Sequence, residues 1–391
     1  MSSTEVFWTF LKLGCTSFGG PSAHLGYFRT AFVERLKWLT EARYAELVAL
    51  GQFLPGPASS QVGFAIGLER AGALGGAAAW LGFTLPSALI MLAAAFGLSL
   101  IPPELLPGIV HGLKLVAVAV VAHAVQGMAV SLCRDRFHQL LAIGVLILCL
   151  LVSGVGGQLA GLIIAGIAAY IWAHRAEVSD RSENESRDTG TTMLPVFLIA
   201  LAIGLLLLLP VLTSLELAGS AMAEPFYRAG ALVFGGGHVV LPFLEGATVS
   251  QGWLTTEEFL AGYGVAQAIP GPLFTFAAYV GAVSHGAIGG IVALVAIFLP
   301  GALLMAGVLP LWTKVSHRPG LRRALGGVNA GVVGILAAAL YDPLWTSSVN
   351  AASDLAVVSI GWAMLQILKW PPWSVALAGL AYGLAIAASA G

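Results

Sequence analysis

The longest charge-free stretch of this chain limits what it can fold into. Residues 259–313 run for 55 positions without Asp, Glu, Lys or Arg, and residues 71–103 and 137–173 are also free of these charges. Because a helix needs about 20 apolar residues to cross a bilayer, the longest stretch has room for two crossings. We therefore predict an all-α polytopic membrane protein whose main surroundings are the lipid bilayer.

Composition excludes several other classes. Only 9% of the residues are charged, against roughly 25% in a soluble domain, which excludes a soluble enzyme or a disordered chain. The net charge of −1 leaves no basic face for nucleic acid. The apolar stretches are continuous rather than alternating, which excludes an outer-membrane barrel. The three cysteines form no CxxC pair, so we expect no metal, cofactor or disulfide.

The chain contains two copies of one pattern, which indicates a fused duplication. Four motifs recur in the same order, and the spacing between the two copies is nearly the same for all four. The pairs are Phe18-Gly19-Gly20 with Phe234-Gly235-Gly236, Trp38-Leu39-Thr40 with Trp253-Leu254-Thr255, Gln52-Phe53-Leu54-Pro55-Gly56-Pro57 with Gln267-Ala268-Ile269-Pro270-Gly271-Pro272, and Leu85-Pro86-Ser87-Ala88-Leu89 with Leu299-Pro300-Gly301-Ala302-Leu303.

A charged segment divides the two copies. Residues 174–193 hold eight of the 37 charges, which is typical of a solvated linker. We predict an N-terminal repeat over 1–173, this linker, one extra connecting membrane helix over 194–213, and a C-terminal repeat over 214–391. The predicted helical elements are 4–33, 41–68, 71–100, 104–132, 137–153 and 155–173 in the first half and 218–246, 257–283, 285–310, 321–341, 352–368 and 373–390 in the second.

Six elements followed by one extra crossing insert the second repeat upside down, so the halves are expected to form an inverted-topology repeat. The segment after the first element carries Arg29, Arg35, Lys37 and Arg43, whereas its counterpart, 247–256, has no Lys or Arg. Because basic loops stay in the cytoplasm, these two segments should face opposite sides of the membrane, and the linker should be cytoplasmic.

Two arrangements of the first two elements in each half fit the pattern. If every element crosses fully, the basic segment 29–43 and Arg70 fall on opposite sides. If these elements are broken and re-entrant, nearly all Lys and Arg fall inside. We favour the second arrangement, with broken or re-entrant helices at the Pro-Gly-Pro and Gly-rich motifs.

The Pro-Gly-Pro motifs predict helix breaks that suit an anion. Proline lacks a backbone donor and stops a helix, and a new helix can begin directly after the second proline. The N-terminus of that helix presents free N–H groups and a partial positive charge. Ser59, Ser60 and Gln61 follow the first motif and add donors, whereas the second motif is followed by one hydroxyl, that of Thr275. The first copy is therefore better suited to binding.

Three further side chains have two interpretations each. His24 and His238 lie beside glycine clusters, and each either binds an anion or carries protons, or is a buried, satisfied histidine. Lys114 lies in an apolar run, where a charge is costly. It either adds a charge to the transport pathway or extends to an interface.

Long motifs in both halves resemble the chromate ion transporter family, in its long two-domain form. They are FGGPSAHLGYFR (18–29), ERLKWLTEARYAELVALGQFLPGPASSQVG (34–63), GFTLPSAL (82–89), FGGGHVVLPFLE (234–245) and WLTTEEFLAGYGVAQAIPGPLFTFAAYVG (253–281). The resemblance implies a multi-pass protein of the bacterial inner (plasma) membrane that exports chromate, a tetrahedral dianion, and thereby confers chromate resistance.

The family motifs also suggest which residues surround the substrate. The family positions present here are Gly19, Gly20, Pro21, His24, Arg29, Gln52, Pro55, Gly56, Pro57, Ser59, Ser60, Gln61, Gly235, Gly236, Gly237, His238, Gln267, Pro270, Gly271 and Pro272. We add Ser22 and Thr275 as further candidate substrate-binding residues, because each offers a hydroxyl beside a break.

Paired broken helices in two halves are typical of a secondary transporter that works by alternating access. This is the function we predict, rather than an enzyme. A transporter or exchanger of sulfate or another tetrahedral oxyanion, with or without proton coupling, is the alternative, and an anion channel is a further one. A homodimer is left open.

Overall fold

The structure is a computed structural model, and it describes residues 2–18, 20–97, 102, 104–152, 155–174, 193–216, 219–234, 239–312 and 319–390. Within these ranges the chain forms helices and no β-strand, which confirms the predicted all-α class. The linker predicted over 174–193 lies almost wholly outside them, because residues 175–192 are not described.

The helices follow the predicted elements, with additional breaks at the repeated motifs. The first half contains α1 (Ser3–Thr16), α2 (Gly20–Arg29), α3 (Glu41–Phe53), α4 (Ala58–Gly97), α5 (Leu106–Leu132), α6 (Arg136–Leu151) and α7 (Val155–His174). After α8 (Met193–Ser214) come α9 (Ser220–Leu232), α10 (Val240–Thr248), α11 (Thr256–Ala268), α12 (Phe276–Val308), α13 (Pro319–Ala339), α14 (Ala352–Gln366) and α15 (Pro372–Ala390). A π-helical stretch, Thr30–Arg35, extends α2, and a short 3₁₀ turn, Leu273–Thr275, precedes α12.

The repeated Trp-Leu-Thr motif starts one helix in each half. Thr40 Oγ1 accepts a hydrogen bond from the Arg43 N–H at 3.2 Å. In the second half, Thr255 Oγ1 accepts one from the Glu258 N–H, also at 3.2 Å. Such caps satisfy donors that the first helical turn leaves free and contribute about 1 kcal/mol each. The motif therefore marks the beginning of α3 and of α11.

Several helical stretches are long and apolar enough to cross a membrane, as the multi-pass prediction requires. They are Ala58–Gly97, Leu106–Leu132, Met193–Ser214, Leu273–Leu311 and Arg323–Ser348. The first and fourth are not straight, because the backbone leaves the helical region at Gly72 (φ 64°, ψ −157°) and at Gly286 (φ 70°, ψ −168°). These two breaks are equivalent in the repeat, so the duplication extends to the backbone geometry.

Each of these breaks reverses the chain. A Cβ placed on Gly67 would clash with the Gly75 carbonyl oxygen, and one placed on Gly281 would clash with the Gly289 carbonyl oxygen. Eight residues of straight helix would instead separate such positions by about 12 Å. Both α4 and α12 therefore consist of a short arm folded back on a long arm. The arms are 58–70 and 73–97 in α4, and 276–284 and 287–308 in α12.

The close approach at Gly67 predicts a stability effect. We expect Gly67→Ala to lower the free energy of unfolding by about 1–3 kcal/mol, because the added Cβ would meet a backbone oxygen. Gly144→Ala is the matched control, since a Cβ there meets no atom within 4 Å and alanine favours a helix by about 0.5–1 kcal/mol. Thermal unfolding in detergent compares the two. An unchanged midpoint for Gly67→Ala would contradict the reversal at Gly72.

The short arm of α4 also folds back on α3, so the first Pro-Gly-Pro motif forms the tip of a hairpin. Arg43 at the start of α3 pairs with Glu69 at the end of the short arm. Nearer the tip, a Cβ on Gly51 would lie 2.9 Å from Val62 Cγ2. The chain therefore enters and leaves at one end of the molecule, which is the re-entrant arrangement favoured from the sequence.

The other broken elements fold back in the same way. At the second Pro-Gly-Pro motif, the Tyr279 hydroxyl of α12 donates to the Glu258 carbonyl oxygen of α11 at 3.0 Å. In the first element, the ring of Phe10 lies 5.6 Å from the ring of Phe28 and 4.9 Å from that of Phe32. The predicted element 4–33 is therefore divided into α1 and a returning α2, and 41–68 into α3 and the short arm of α4.

The long arms of α4 and α12 pack antiparallel, which makes the two halves an inverted pair. The rings of Trp80 and Phe298 lie 5.8 Å apart. Trp80 is near the start of the α4 long arm, whereas Phe298 is in the middle of the α12 long arm. A Cβ on Gly290 would lie 2.5 Å from Leu92 Cδ2. Leu92 is near the end of the α4 long arm, whereas Gly290 is near the start of the α12 long arm. The hairpins of the two halves therefore enter from opposite ends.

The Gly72 and Gly286 turns mark these two ends. Counting along the paired arms at the helical rise per residue places the turns roughly 30 Å apart, close to the thickness of the hydrocarbon core of a bilayer. The basic end holds Gly72 with Arg29, Arg43 and Arg70, and the acidic end holds Gly286 with Glu257 and Glu258. The guanidinium of Arg70 lies over the ring of Trp38, 4.9 Å from its centroid, which keeps Arg70 beside the basic segment.

The unmatched helix α8 links the inverted halves. A Cβ on Gly307, in the last turn of the α12 long arm, would lie 2.9 Å from the Pro195 carbonyl oxygen. Because that arm ends at the basic end, α8 begins there and carries the chain towards the acidic end, from which α9 starts. One extra crossing of this kind is what an inverted repeat needs.

The inverted arrangement predicts the sidedness of two exposed loops. We expect a membrane-impermeant thiol reagent applied to intact cells to label Gln251→Cys but not Lys37→Cys, in a protein whose three native cysteines are replaced by serine. Permeabilised cells should show labelling of both variants. Labelling of both from the same side of a sealed membrane would contradict the inversion.

Candidate functional site

Each hairpin tip donates one backbone hydrogen bond to the other half, and we call these two bonds the crossed tip hydrogen bonds. The Gly56 N–H of the first tip donates to the Val233 carbonyl oxygen at 2.6 Å, and the Gly271 N–H of the second tip donates to the Ser17 carbonyl oxygen at 2.9 Å. Ser17 and Val233 directly follow α1 and α9 and precede the repeated Phe-Gly-Gly motifs. Each half therefore supplies one donor and one acceptor to the other.

Both tips require glycine. Gly56 has a φ of +123° and Gly271 a φ of +98°, which L side chains rarely adopt. A Cβ on Gly56 would lie 3.2 Å from Gly301 Cα, and one on Gly271 would lie 2.6 Å from Ser87 Oγ. Gly301 and Ser87 are equivalent positions of the repeated Leu-Pro-x-Ala-Leu motif. Three of the four repeated motifs therefore converge at the tips.

Buried polar side chains of the first half lie beside the hairpin tips. His24 Nδ1 is 3.2 Å from Ser59 Oγ, and the two residues are 0% and 2% exposed. The Ser17 backbone lies near the same imidazole, and the ring of Phe83 meets it edge-on at 5.2 Å. We call this group the tip cluster. Its members are Ser17, His24, Ser59, Ser60, Gln61 and Ser87.

Several atoms of the tip cluster are buried without a hydrogen-bond partner among the described residues. They are Ser17 Oγ, His24 Nε2, Ser60 Oγ and Gln61 Oε1. A buried polar atom left unsatisfied costs about 1–3 kcal/mol, so such atoms often mark a place for a ligand or water. The two hydroxyls and the imidazole can donate to the oxygens of an anion, whereas Gln61 Oε1 accepts.

Helix geometry adds to the positive potential at the tip cluster. The short arm of α4 begins at Ala58, directly after Pro57, as the sequence predicted. Ser59 and Ser60 therefore lie in the first turn of a helix, where backbone N–H groups have no helical partner. A helix N-terminus carries a partial positive charge of roughly half an elementary charge. The arrangement can bind an oxyanion with backbone and hydroxyl donors and no fixed cation.

The tips of the two halves differ in polarity. The repeat places Phe274 at the position equivalent to Ser59 and Phe276 at the position equivalent to Gln61. Thr275 keeps a hydroxyl, but that hydroxyl donates to the Pro272 carbonyl oxygen at 2.8 Å. The polar side chains at the tips therefore come mainly from the first half.

Three predicted residues lie away from the tip cluster or have other partners. Gln52 is exposed on the outside of α3. Gln267 is buried and hydrogen-bonds with Tyr263. Lys114 Nζ lies 3.9 Å from the Glu257 carboxylate at the acidic end, which favours the interface interpretation of this lysine.

Arg29 lies at the basic end, far from the tips. Its guanidinium donates to Glu41 at 2.8 Å and also to Glu34. The hydrogen bond from Arg29 holds the pKa of the Glu41 carboxyl below its usual value. In this position Arg29 can attract an anion to the basic end, and it does not touch the tip cluster.

Several predicted positions belong to the two glycine clusters. Gly19, Gly235, Gly236, Gly237 and His238 lie outside the described residues. Ser22 lies within α2, but its side chain is not described. Gly20 begins α2 with a φ of 75°, so the chain does break at the first glycine cluster.

Sequence reasoning did not select Ser17 and Ser87. Ser87 lies in the repeated Leu-Pro-x-Ala-Leu motif, which on sequence alone reads as a proline kink. Its Oγ donates to the Thr84 carbonyl oxygen at 3.1 Å and faces the second tip. Ser17 directly precedes the Phe-Gly-Gly motif. Their positions within or beside repeated motifs were the signal that could have found them.

A family model described as "Chromate transporter" matches residues 4–172 and 220–384. The chain belongs to the chromate transporter family. The two separate matches correspond to the two repeats, and the membrane-spanning helices make the protein a multi-pass member.

Relatives in the family include both long and short chains. A chromate transport protein of Pseudomonas aeruginosa is 29% identical and covers 98% of this chain and 92% of its own length. One from Cupriavidus metallidurans is 28% identical, with coverages of 92% and 84%. An uncharacterized transporter of Bacillus subtilis is 31% identical over 166 residues, which is 84% of that relative and 41% of this chain. No solved structure matches the chain.

Proposed function

We propose that this protein exports chromate across the bacterial inner membrane by alternating access and thereby confers chromate resistance. The observation that carries the proposal is the pair of crossed tip hydrogen bonds beside unsatisfied first-half donors. Two relatives are named chromate transport proteins, which supports chromate as the substrate. The tip cluster is the proposed binding site, with Ser17, His24, Ser59 and Ser60 as donors.

The inverted halves suit alternating access. His24 and Ser59 are nearly fully buried, so an anion reaches them only when the tips move. Because the halves are inverted, exchange of their conformations would open the site first to one end and then to the other. The turns at Gly72 and Gly286, which have a positive φ, are the proposed hinges.

The membrane potential supports the outward direction. The basic end is the proposed cytoplasmic side, because loops rich in Lys and Arg stay inside. An inside-negative potential favours outward movement of an anion by about 2.3 kcal/mol per charge per 100 mV. A dianion could therefore leave the cell by uniport or exchange, without an ATP-driven step.

Counterflow in proteoliposomes tests this function. We expect vesicles loaded with unlabelled chromate to accumulate labelled chromate transiently, and loading with sulfate to drive less accumulation. Equal counterflow with sulfate would favour the alternative, a general carrier of tetrahedral oxyanions. Faster flux without counterflow would indicate an anion channel. A response to an imposed pH gradient would add proton coupling, and chemical crosslinking of the reconstituted protein tests the homodimer.

A further inference from the structure

A wide groove runs along α1 from the basic end towards the tip cluster. It lies between α1 on one side and α2 with its π-helical stretch on the other, and its volume is about 1360 Å³. Glu5 and Arg35 line it near the basic end, and Thr16 and Ala23 line its inner end. The last two are chain neighbours of tip-cluster residues. Along α1, the groove spans roughly 17 Å.

Lys12 is exposed halfway along this groove. Its side chain lines the groove one helical turn before Thr16, and Trp8 lines it one turn nearer the basic end. Within the described part of the chain, Lys12 forms no ion pair. In a largely apolar groove, an ammonium group attracts small anions more strongly than the same group in bulk water.

The second half contains an equivalent cation that is neutralised. In the register of the Phe-Gly-Gly motifs, Arg228 is the equivalent of Lys12 and Glu224 is the equivalent of Trp8. Arg228 Nη1 lies 3.2 Å from Oε1 of the buried Glu224. Contacts support this register. A Cβ on Gly14 would meet the Phe83 carbonyl oxygen, and a Cβ on Gly230, the equivalent position, would meet the carbonyl oxygen of Ile297, the equivalent of Phe83. The halves therefore differ in whether the cation before the tip has a carboxylate partner.

We propose that Lys12 is an anion-capture site, at which an oxyanion dianion binds on its way from the basic end to the tip cluster. This inference rests on the proposed function, since it names the access path to the proposed site. The Lys12 cation on the basic side collects the anion. On the acidic side, the Glu224 carboxylate cancels the equivalent charge, so the released anion is not held there. The asymmetry favours loading from the cytoplasm and release outside.

Uptake kinetics in inside-out membrane vesicles test the role of Lys12, because the outer medium then bathes the cytoplasmic side. We expect Lys12→Gln to raise the KM for chromate about tenfold with Vmax within about twofold of wild type. Lys12→Arg, which keeps the charge, should stay close to wild type. Trp8→Glu, which copies the carboxylate of the second half, should raise the KM as much as Lys12→Gln. A wild-type KM for Lys12→Gln would overturn the inference.

Two controls separate capture from general electrostatics and from lipid binding. Lys37→Gln removes an exposed cation of the basic end that does not line the groove, and its KM should not change. The KM effect of Lys12→Gln should also persist in vesicles of neutral phosphatidylcholine. An effect seen only when phosphatidylglycerol is present would assign Lys12 to a lipid headgroup and overturn the inference.

A measurement of thiol reactivity separates this inference from the proposed function. In the cysteine-free protein, Thr16→Cys should react several-fold faster with an anionic methanethiosulfonate reagent than with a cationic one, and adding Lys12→Gln should abolish that preference. This readout does not depend on transport. If wild type moves no chromate but the preference is present, the proposed function fails and the capture site stands. If chromate is moved and no preference is seen, the capture site alone fails.

Discussion

Replacing Gly56 with alanine should reduce chromate transport about tenfold or more while the protein still inserts and folds. Gly56 has a φ of +123°, and the new Cβ would lie 2.9 Å from Gln61 Nε2 and 3.2 Å from Gly301 Cα. A side chain in such a backbone conformation costs about 1–2 kcal/mol, and the contact adds to this cost. The tip would shift, and its hydrogen bond to Val233 would be lost. A loss of about 1.4 kcal/mol at a required tip geometry corresponds to a tenfold effect on rate.

The matched control for this variant is Gly252→Ala. Gly252 also has a positive φ, of +73°, but a Cβ there meets no atom within 4 Å. It therefore tests the effect of an unfavourable backbone conformation away from the tips. Counterflow rates, normalised to the amount of folded protein eluting as a single size-exclusion peak, provide the comparison. Normal transport by Gly56→Ala would refute the assignment of the tips to the substrate site.

Removing one hydroxyl from each tip should have unequal effects. Ser60 and Thr275 are equivalent in the repeat, and both are buried. Ser60 Oγ has no hydrogen-bond partner among the described residues, whereas the Thr275 hydroxyl is bonded to the Pro272 carbonyl oxygen. Since a hydrogen bond to a charged ligand contributes about 1.5–3 kcal/mol, we expect Ser60→Ala to raise the KM for chromate at least about tenfold.

Thr275→Val is the counterpart, because it removes the hydroxyl and keeps the branched shape. Its KM should stay within about twofold of wild type, although its thermal stability should fall by about 1 kcal/mol through loss of the turn hydrogen bond. Initial rates over a range of chromate concentrations separate KM from Vmax. Equal KM values for Ser60→Ala and wild type would remove Ser60 from the proposed binding site.

The positions of the helix breaks were predictable because their causes are local. Proline cannot continue a helix, and glycine permits a positive φ. The segments 55–57 and 270–272 therefore predict tips regardless of how the rest of the chain packs. The duplication was equally visible, since it needs only a comparison of the chain with itself. The re-entrant path followed from charge, because Arg29–Arg43 and Arg70 belong on one side, and the Arg43–Glu69 pair agrees with it.

The side-chain composition of the site was predicted less well, because orientation depends on the packing of whole helices. Gln52 belongs to the family motif and yet lies on the exposed side of α3. Lys114 pairs with the carboxylate of Glu257, which lies on a helix of the other half. Ser87 faces the second tip only because the long arm of α4 packs beside it. No local sequence pattern predicts these contacts.

The sequence by itself determined the membrane class, the duplication and the location of the breaks, since apolar length, self-similarity and the chemistry of proline and glycine act without regard to distant contacts. Only the tertiary structure decided that each tip bonds to the other half. Gly56 donates to Val233 and Gly271 to Ser17, so each bond joins positions that lie far apart along the chain. Such pairing arises because the long arms pack antiparallel, so that each hairpin tip lies against the long arm of the other half. A buried N–H needs an acceptor, and in this fold the nearest one belongs to the other half.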